Sequence, residues 1–461
     1  MNLTDLKHLA RTLFLEGVRA ADPKLAVQRA LTAEPLKVNP EGRLLIIAFG
    51  KASVAMIQQA LQHIPAAQRI EAIAVTNYEN AREIDGCRVM AAGHPLPDQN
   101  GIEAGTAVMD LLRSATKSDQ VLCLISGGGS ALLPTPRDGL TLADKIKVSE
   151  ILLESGFDIE QMNRIRQHLS VLKGGGLLEL AHPAKVRSLI ISDVVGDDLE
   201  IIASGPTVPA RVGGNPCALL NDKGVWDAMP GAAKTLLKTP RDTSNRSARD
   251  TLICTNGQCL DAIASSALDW SPQIVTEPLV GDVRDAAKSV LDCIRSQPKS
   301  ARQLIIWGGE TTVEINGNGM GGRNQELAVR FAELASDLTG EWVFLSGGTD
   351  GRDGPTDAAG GIVDRQTIAQ AQTNNINVAA ALEDNDSHRV LDNSNGLLKT
   401  GATGTNVADI QIFLRMPQTV LVPLPTQPLR ASSQLRLKPS TPRNTQRYWP
   451  EKLQLRSVRT S

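Results

Sequence analysis

The chain predicts an α/β protein built on a mainly parallel sheet with helices on both faces. Three observations carry this. Apolar runs recur at residues 44–48, 72–75, 121–125, 188–191, 252–254, 304–307 and 343–345, and they are unbroken rather than alternating. Most of them stop at glycine or a small polar residue. Helical patterns such as 52–64 and 104–112 lie between several of them. Continuous apolar strands separated by amphipathic helices are what a doubly covered parallel sheet requires.

The composition agrees. Hydrophobic residues make up 41% of the 461 and charged residues 21%, a globular balance. Aromatics are only 3%, so the core must be mostly Leu, Ile, Val and Ala. The length suits two or three domains. Residues 209–248 are rich in Pro, Gly and Asn, and the crossing between lobes is expected within 235–260. The expected domains are 1–245, 246–415 and a terminal segment, 416–461.

Taken in order, the N-terminus alternates charged and apolar residues at helical spacing and lacks the apolar core of a signal peptide. No run approaches the ~18 apolar residues of a membrane span. Thr141 can cap a helix over 142–154, with Asp144 in its first turn, and a second helix is expected over 159–172, ending at Lys173-Gly174-Gly175-Gly176. The six cysteines form no CxxC pair, and Cys123 and Cys254 sit in apolar runs as small hydrophobes. A reduced cytoplasmic setting fits this usage. The net charge of -2 leaves no footprint for nucleic acid.

From Pro417 onward the character changes. This stretch holds eight Lys and Arg against one acid, Glu451, and seven of the 25 prolines. It is expected to be a disordered basic tail, and a tail for an anionic surface is the other reading. Its abrupt onset resembles translation in an altered frame.

The loops after the strands carry the chemistry. In Ser126-Gly127-Gly128-Gly129-Ser130 a strand runs into three glycines flanked by hydroxyls. Free backbone N–H groups there suit a phosphate, and strand ends are where open parallel sheets place ligands. A tight turn without a ligand uses the same residues. Lys51 follows a strand and opens a helix, a place from which an ammonium reaches an anion. A P-loop is absent, because Leu45 and Ala52 stand where that motif needs Gly and Ser or Thr. Residues 317–322 satisfy GxGxxG but lack the acid that a dinucleotide fold wants about 20 residues on. They read better as the turn that presents Arg323, a residue suited to phosphate or carboxylate. Two acidic loops, 192–198 and 348–357, offer carboxylates for Mg²⁺ or only Asx-turns.

Taken together, these motifs resemble the glycerate 2-kinases with a C-terminal MOFRL domain, some of which carry the name hydroxypyruvate reductase. The matching strings are 48–53 (AFGKAS), 93–98 (GHPLPD), 124–134 (LISGGGSALLP), 163–175 (NRIRQHLSVLKGG), 192–207, 308–312 (GGETT), 321–326 (GGRNQE), 347–361 and 397–409 (LLKTGATGTNVAD). They run in order over roughly 5–415. Gly176, Ala402 and the tail depart from the family pattern.

The resemblance implies a Rossmann-like N-terminal lobe with a mainly parallel sheet, a smaller mixed α/β C-terminal lobe and a cleft between them. It implies ATP-dependent phosphorylation of D-glycerate at its 2-hydroxyl, with ATP and Mg²⁺ as cofactors. It carries Lys51 and Arg323 over as active-site positions. Chemistry adds Asp193 as Mg²⁺ ligand or orienter of the hydroxyl, with Glu310 as its understudy. Ser126, Gly127, Gly128, Gly129 and Ser130 would hold phosphate. Arg166 would clamp the glycerate carboxylate, and Asn256 would bind substrate or nucleotide. No nucleic-acid or membrane partner is expected, and the protein would be a monomer or homodimer. Two other readings stand beside this one. One is an NAD(P)H-dependent hydroxypyruvate reductase, whose candidate histidines are His94 and His168, with His94 reading mainly as a loop-fixing residue. The other is a non-catalytic binder of a sugar acid or nucleotide.

Overall fold

The computed structural model describes residues 1–210, 215–239, 246–298 and 302–416. The tail expected from 417 onward lies outside the described residues.

The first sheet contains six strands, all parallel: β1 (Arg43–Phe49), β2 (Arg69–Asn77), β3 (Arg88–Ala92), β4 (Gln120–Ile125), β5 (Lys185–Ile191) and β6 (Arg249–Cys254). Their spatial order is β3-β2-β1-β4-β5-β6. That is the Rossmann order, in which the winding reverses between β1 and β4 and opens a crevice at the strand ends. Alternate residues of β1 serve opposite faces. Leu44, Ile46 and Ala48 join one buried cluster, while Leu45, Ile47 and Phe49 join another. This two-sided burial is why the run is unbroken in sequence.

The second sheet is mixed. It comprises β7 (Gln273–Ile274), β8 (Leu279–Asp282), β9 (Gln303–Thr312), β10 (Trp342–Gly348), β11 (Gly360–Asp364), β12 (Leu397–Leu398) and β13 (Asp409–Arg415). The order is β12-β11-β10-β13-β9-β7, with β8 on β9. β13 runs antiparallel between β10 and β9, whereas β7 and β8 run parallel to β9.

The lobes are not separated by one cut. β6 lies past the expected division at 245/246, yet it pairs with β5 at the edge of the first sheet. The N-terminal helix Leu3–Ala20, closed by an Asn2–Asp5 capping box, buries Leu6, Ala10, Leu13 and Phe14 in a cluster that includes Val343, Leu345, Ile410 and Ile412 of the second sheet. The first helix therefore covers β13, the last strand among the described residues.

Helix Leu142–Glu154 forms as expected, with Thr141 and Asp144 in a capping box. The next helix is Ile159–His168, shorter than the expected 159–172. It stops because Ser170 and Val171 turn to another partner. Ser170 Oγ bonds Thr135 Oγ1 at 2.8 Å, and Val171 N donates to Thr135 O at 2.9 Å. Both helices pack with Leu220, Ala233 and Leu237 in a small separate core beside the first sheet. Cys123 and Cys254 are fully buried, and every cysteine is a free thiol. Among the described residues no helix is long and apolar enough to cross a membrane.

Candidate active site

The loops after β1 and β4 are locked together at the crevice. Lys51 N donates to Gly127 O at 2.9 Å, and Ala52 N donates to Ser126 Oγ at 3.1 Å. Gly50, at φ +118°, is required here, since a Cβ on it would lie 2.2 Å from Ser126 Oγ. Gly127 is equally confined, because its Cβ would stand 2.0 Å from Asp193 Oδ2 at the end of β5. Gly128 sits under the Lys51 stem and the His94 ring. One corner of the N-terminal lobe thus gathers Lys51, Asp193, His94 and the glycine loop. Burial raises the Asp193 pKa, while its own backbone N–H and the Lys51 charge oppose the rise.

Arg323 is set from the other lobe. It opens the helix Arg323–Leu334 behind Gly322, which has no capping side chain. Asp353, 3% exposed, caps the helix from a distant loop: Asn324 N donates to its Oδ1 at 3.1 Å and Gln325 N to its Oδ2 at 2.8 Å. The guanidinium is gripped by Asp409, with Nε donating to Oδ2 at 2.6 Å and an Nη to Oδ1 at 2.9 Å. Its other Nη lies 3.2 Å from Glu310 Oε1. Burial opposes the charge on Arg323, but the bonds and charge of Asp409, with Glu310, outweigh it and raise the pKa. The Glu310 pKa is raised, first by burial and further by Asp409 and Asp193, against the pull of Arg323.

A cavity of about 940 Å³ joins the two corners. Gly128, Ser130, Arg166 and Asp193 line it from one lobe, Glu310 and Arg323 from the other. Of the expected phosphate loop, only Gly128 and Ser130 reach it. Ser126 is 2% exposed, and its hydroxyl is engaged by Ala52 N. Gly127 and Gly129 are buried behind the loop. The helix that follows, Gly129–Leu132, is a single turn, so any anion binding here rests on individual N–H groups rather than on a helix dipole. Lys51 is not among the lining residues, although its stem lies over Gly128, which is. Asn256 is outside the cavity. Both its amide hydrogens go to carbonyls of the second lobe, Val407 O at 2.8 Å and Asp409 O at 2.9 Å, so it fastens β6 to β13.

The GxGxxG turn presents Arg323, as expected, and its glycines have another reason. The N–H of Asn318 is taken by Asp384 Oδ1 and that of Met320 by Asp386 Oδ1, and side chains at Gly317 and Gly319 would strike Asp384 and Asp386. Sequence reasoning offered Asp353 only as one carboxylate of the 348–357 loop and gave Asp409 no role. The two acids fall inside strings that it quoted, 347–361 and 397–409, but nothing local marks which acid meets Arg323.

The profile described as a domain of unknown function (DUF4147) matches residues 9–238, and that of the MOFRL family matches 303–409. The D-glycerate 2-kinase of Thermotoga maritima is 37% identical over 89% of this chain and 98% of its own length. A protein of Agrobacterium vitis named hydroxypyruvate reductase is 35% identical over 90% of this chain and 95% of its own. Among solved structures, a glycerate kinase of Thermotoga maritima superposes with a TM-score of 0.81 at 35% identity, covering 90% of this chain and all of that one. With both domains matched and the fold shared over 90% of its length, the chain belongs to the glycerate 2-kinase family.

Proposed function

We propose that this protein transfers the γ-phosphoryl group of ATP to the 2-hydroxyl of D-glycerate, giving 2-phospho-D-glycerate and ADP. The observation that carries this is the pairing of Asp193, in the Lys51 corner, with Arg323 and Glu310 on one cavity at a Rossmann switch point.

Phosphoryl transfer asks for position and charge neutralisation more than covalent chemistry. In this reading Lys51 and Arg323 draw negative charge from the transferring phosphoryl group across the cleft. Asp193 orients the 2-hydroxyl and receives its proton as the oxygen–phosphorus bond forms. Gly128 and Ser130 bound the phosphate chain. Arg166 is left for the acceptor. Asp193 and Glu310 fit Mg²⁺, which needs only one or two carboxylates and keeps several waters. Among the described residues no group of three ligands gathers, so a cation would depend on the nucleotide for the rest of its shell. When bound it would neutralise phosphate charge. We place the enzyme in the cytoplasm, on the free cysteines.

The reductase reading finds less support. The N–H groups of its dinucleotide-like turn are engaged by Asp384 and Asp386, whose charges would repel a pyrophosphate. The deciding assay incubates the full chain with D-glycerate, ATP and Mg²⁺ and identifies the product by phosphorus NMR. 2-Phosphoglycerate is expected. NADH oxidation on hydroxypyruvate without any phosphorylated product would overturn the proposal, and tight ligand binding without turnover would favour a binding protein. Lys51→Ala and Arg323→Ala should each cost on the order of a thousandfold in rate without unfolding.

A further inference from the structure

The helix Ile159–His168 turns one face to the cavity through Ile159, Asn163 and Arg166. Asn163 is 4% exposed. Its Oδ1 accepts from Ser204 Oγ at 2.9 Å, and Ser204 in turn shares a hydrogen bond with Ser130 Oγ at 2.7 Å. That fixes the amide and leaves Nδ2 buried without an acceptor among the described residues. A buried donor left unpaired is a standing cost to the free protein, one that an incoming acceptor removes. One turn further on is Arg166, half-buried on the same cavity. Burial alone lowers its pKa; no neighbouring carboxylate contributes.

Two buried lysines stand behind them. Lys145 Nζ donates to Pro134 O, and Lys173 Nζ donates to Ser130 O at 2.8 Å. Burial, and then the neighbouring positive groups, lower both pKa values, Lys145 to about 7 and Lys173 well below the ordinary lysine value.

We infer that this pocket receives the carboxylate of the acceptor, gripped by the Arg166 guanidinium and the Asn163 amide, and that it selects 2-hydroxy acids over neutral polyols. The inference rests on the kinase reading and deepens it. A planar fork and one amide hydrogen match a two-oxygen planar group. The phosphoryl end is already served by Lys51 and Arg323.

The test compares D-glycerate with D-glyceramide, its neutral isostere, on the wild-type full chain. KM for glyceramide should exceed that for glycerate by ~100-fold or more, because the buried donors would meet no anion. Arg166→Met and Asn163→Leu should raise KM for glycerate at least ~10-fold and leave KM for ATP within about threefold. Equal use of glyceramide, or a rise confined to KM for ATP, would overturn the assignment, the latter by giving the pocket to the triphosphate. If either variant fails to fold, the wild-type comparison decides. If glycerate is not phosphorylated at all, the kinase reading fails separately. Calorimetric titration of the wild type with glycerate and glyceramide then judges the pocket, and equal affinities would sink it.

Discussion

Arg323 makes a two-pronged contact with Asp409, Nε to Oδ2 at 2.6 Å and Nη to Oδ1 at 2.9 Å, across 86 residues of sequence. Asp409 is completely buried and begins β13, next to β9 with Glu310. The arginine is therefore aimed by the second sheet rather than by its own loop.

Asp409→Asn keeps the shape but removes the charge and one acceptor. Arg323 would then lean on Glu310 and lose its aim. We expect kcat to fall ~100-fold or more, as removal of a group acting on transition-state charge does, with a smaller effect on KM for ATP. Steady-state kinetics beside a thermal melt check this. Normal kcat in a folded variant would show that Asp409 does not position Arg323.

Gly127→Ala tests the contact between the first lobe's loops. The new Cβ would stand 2.0 Å from Asp193 Oδ2, so the carboxylate must move. The cost in stability should be about 1–3 kcal/mol, with a disproportionate loss of kcat. Denaturant unfolding and kinetics on the same preparation separate the two effects.

The pH profile should carry the mark of the buried acids. Burial raises the pKa of both Asp193 and Glu310. In the proposed reaction each works as the carboxylate, so activity is present above the raised value and lost as pH falls through it. The acid limb of kcat/KM should lie above the ordinary carboxylate range of about 4. Glu310→Gln removes one of the two groups and should shift the limb to lower pH. An unmoved limb would assign it elsewhere.

Burial, with the charge of Arg166, pushes the Lys145 ammonium down to about 7. The unfolded chain holds that proton up to about 10.4. Between these values the unfolded state binds more protons, so stability rises with pH there, and the cost is fully present below 7. Lys145→Met should remove that slope. Its Tm relative to the wild type should be highest near pH 6 and decline towards pH 10, followed by calorimetry. A constant difference would mean that Lys145 is not charged and buried together.

The sequence alone determined the class of fold and placed Lys51 and Arg323, the two cations proposed here for the site, at the junctions of a strand or glycine turn with a helix. Unbroken apolar runs are dictated by burial on both faces of a sheet, and such a junction is a relation between neighbours in the chain. The helix over 142–154 was legible for the same reason, since its capping box lies within four residues. What only the tertiary structure decided are relations between distant residues: Asp353 as cap, Asp409 as grip, Asn256 as a fastener rather than a wall of the cavity, and Ser126 as a strut rather than a cradle. The same holds for the N-terminal helix, which covers β13, at the far end of the described residues. Local pattern reports which way a side chain must face, whereas the identity of its partner is set by how two sheets pack, and that is written in no single segment.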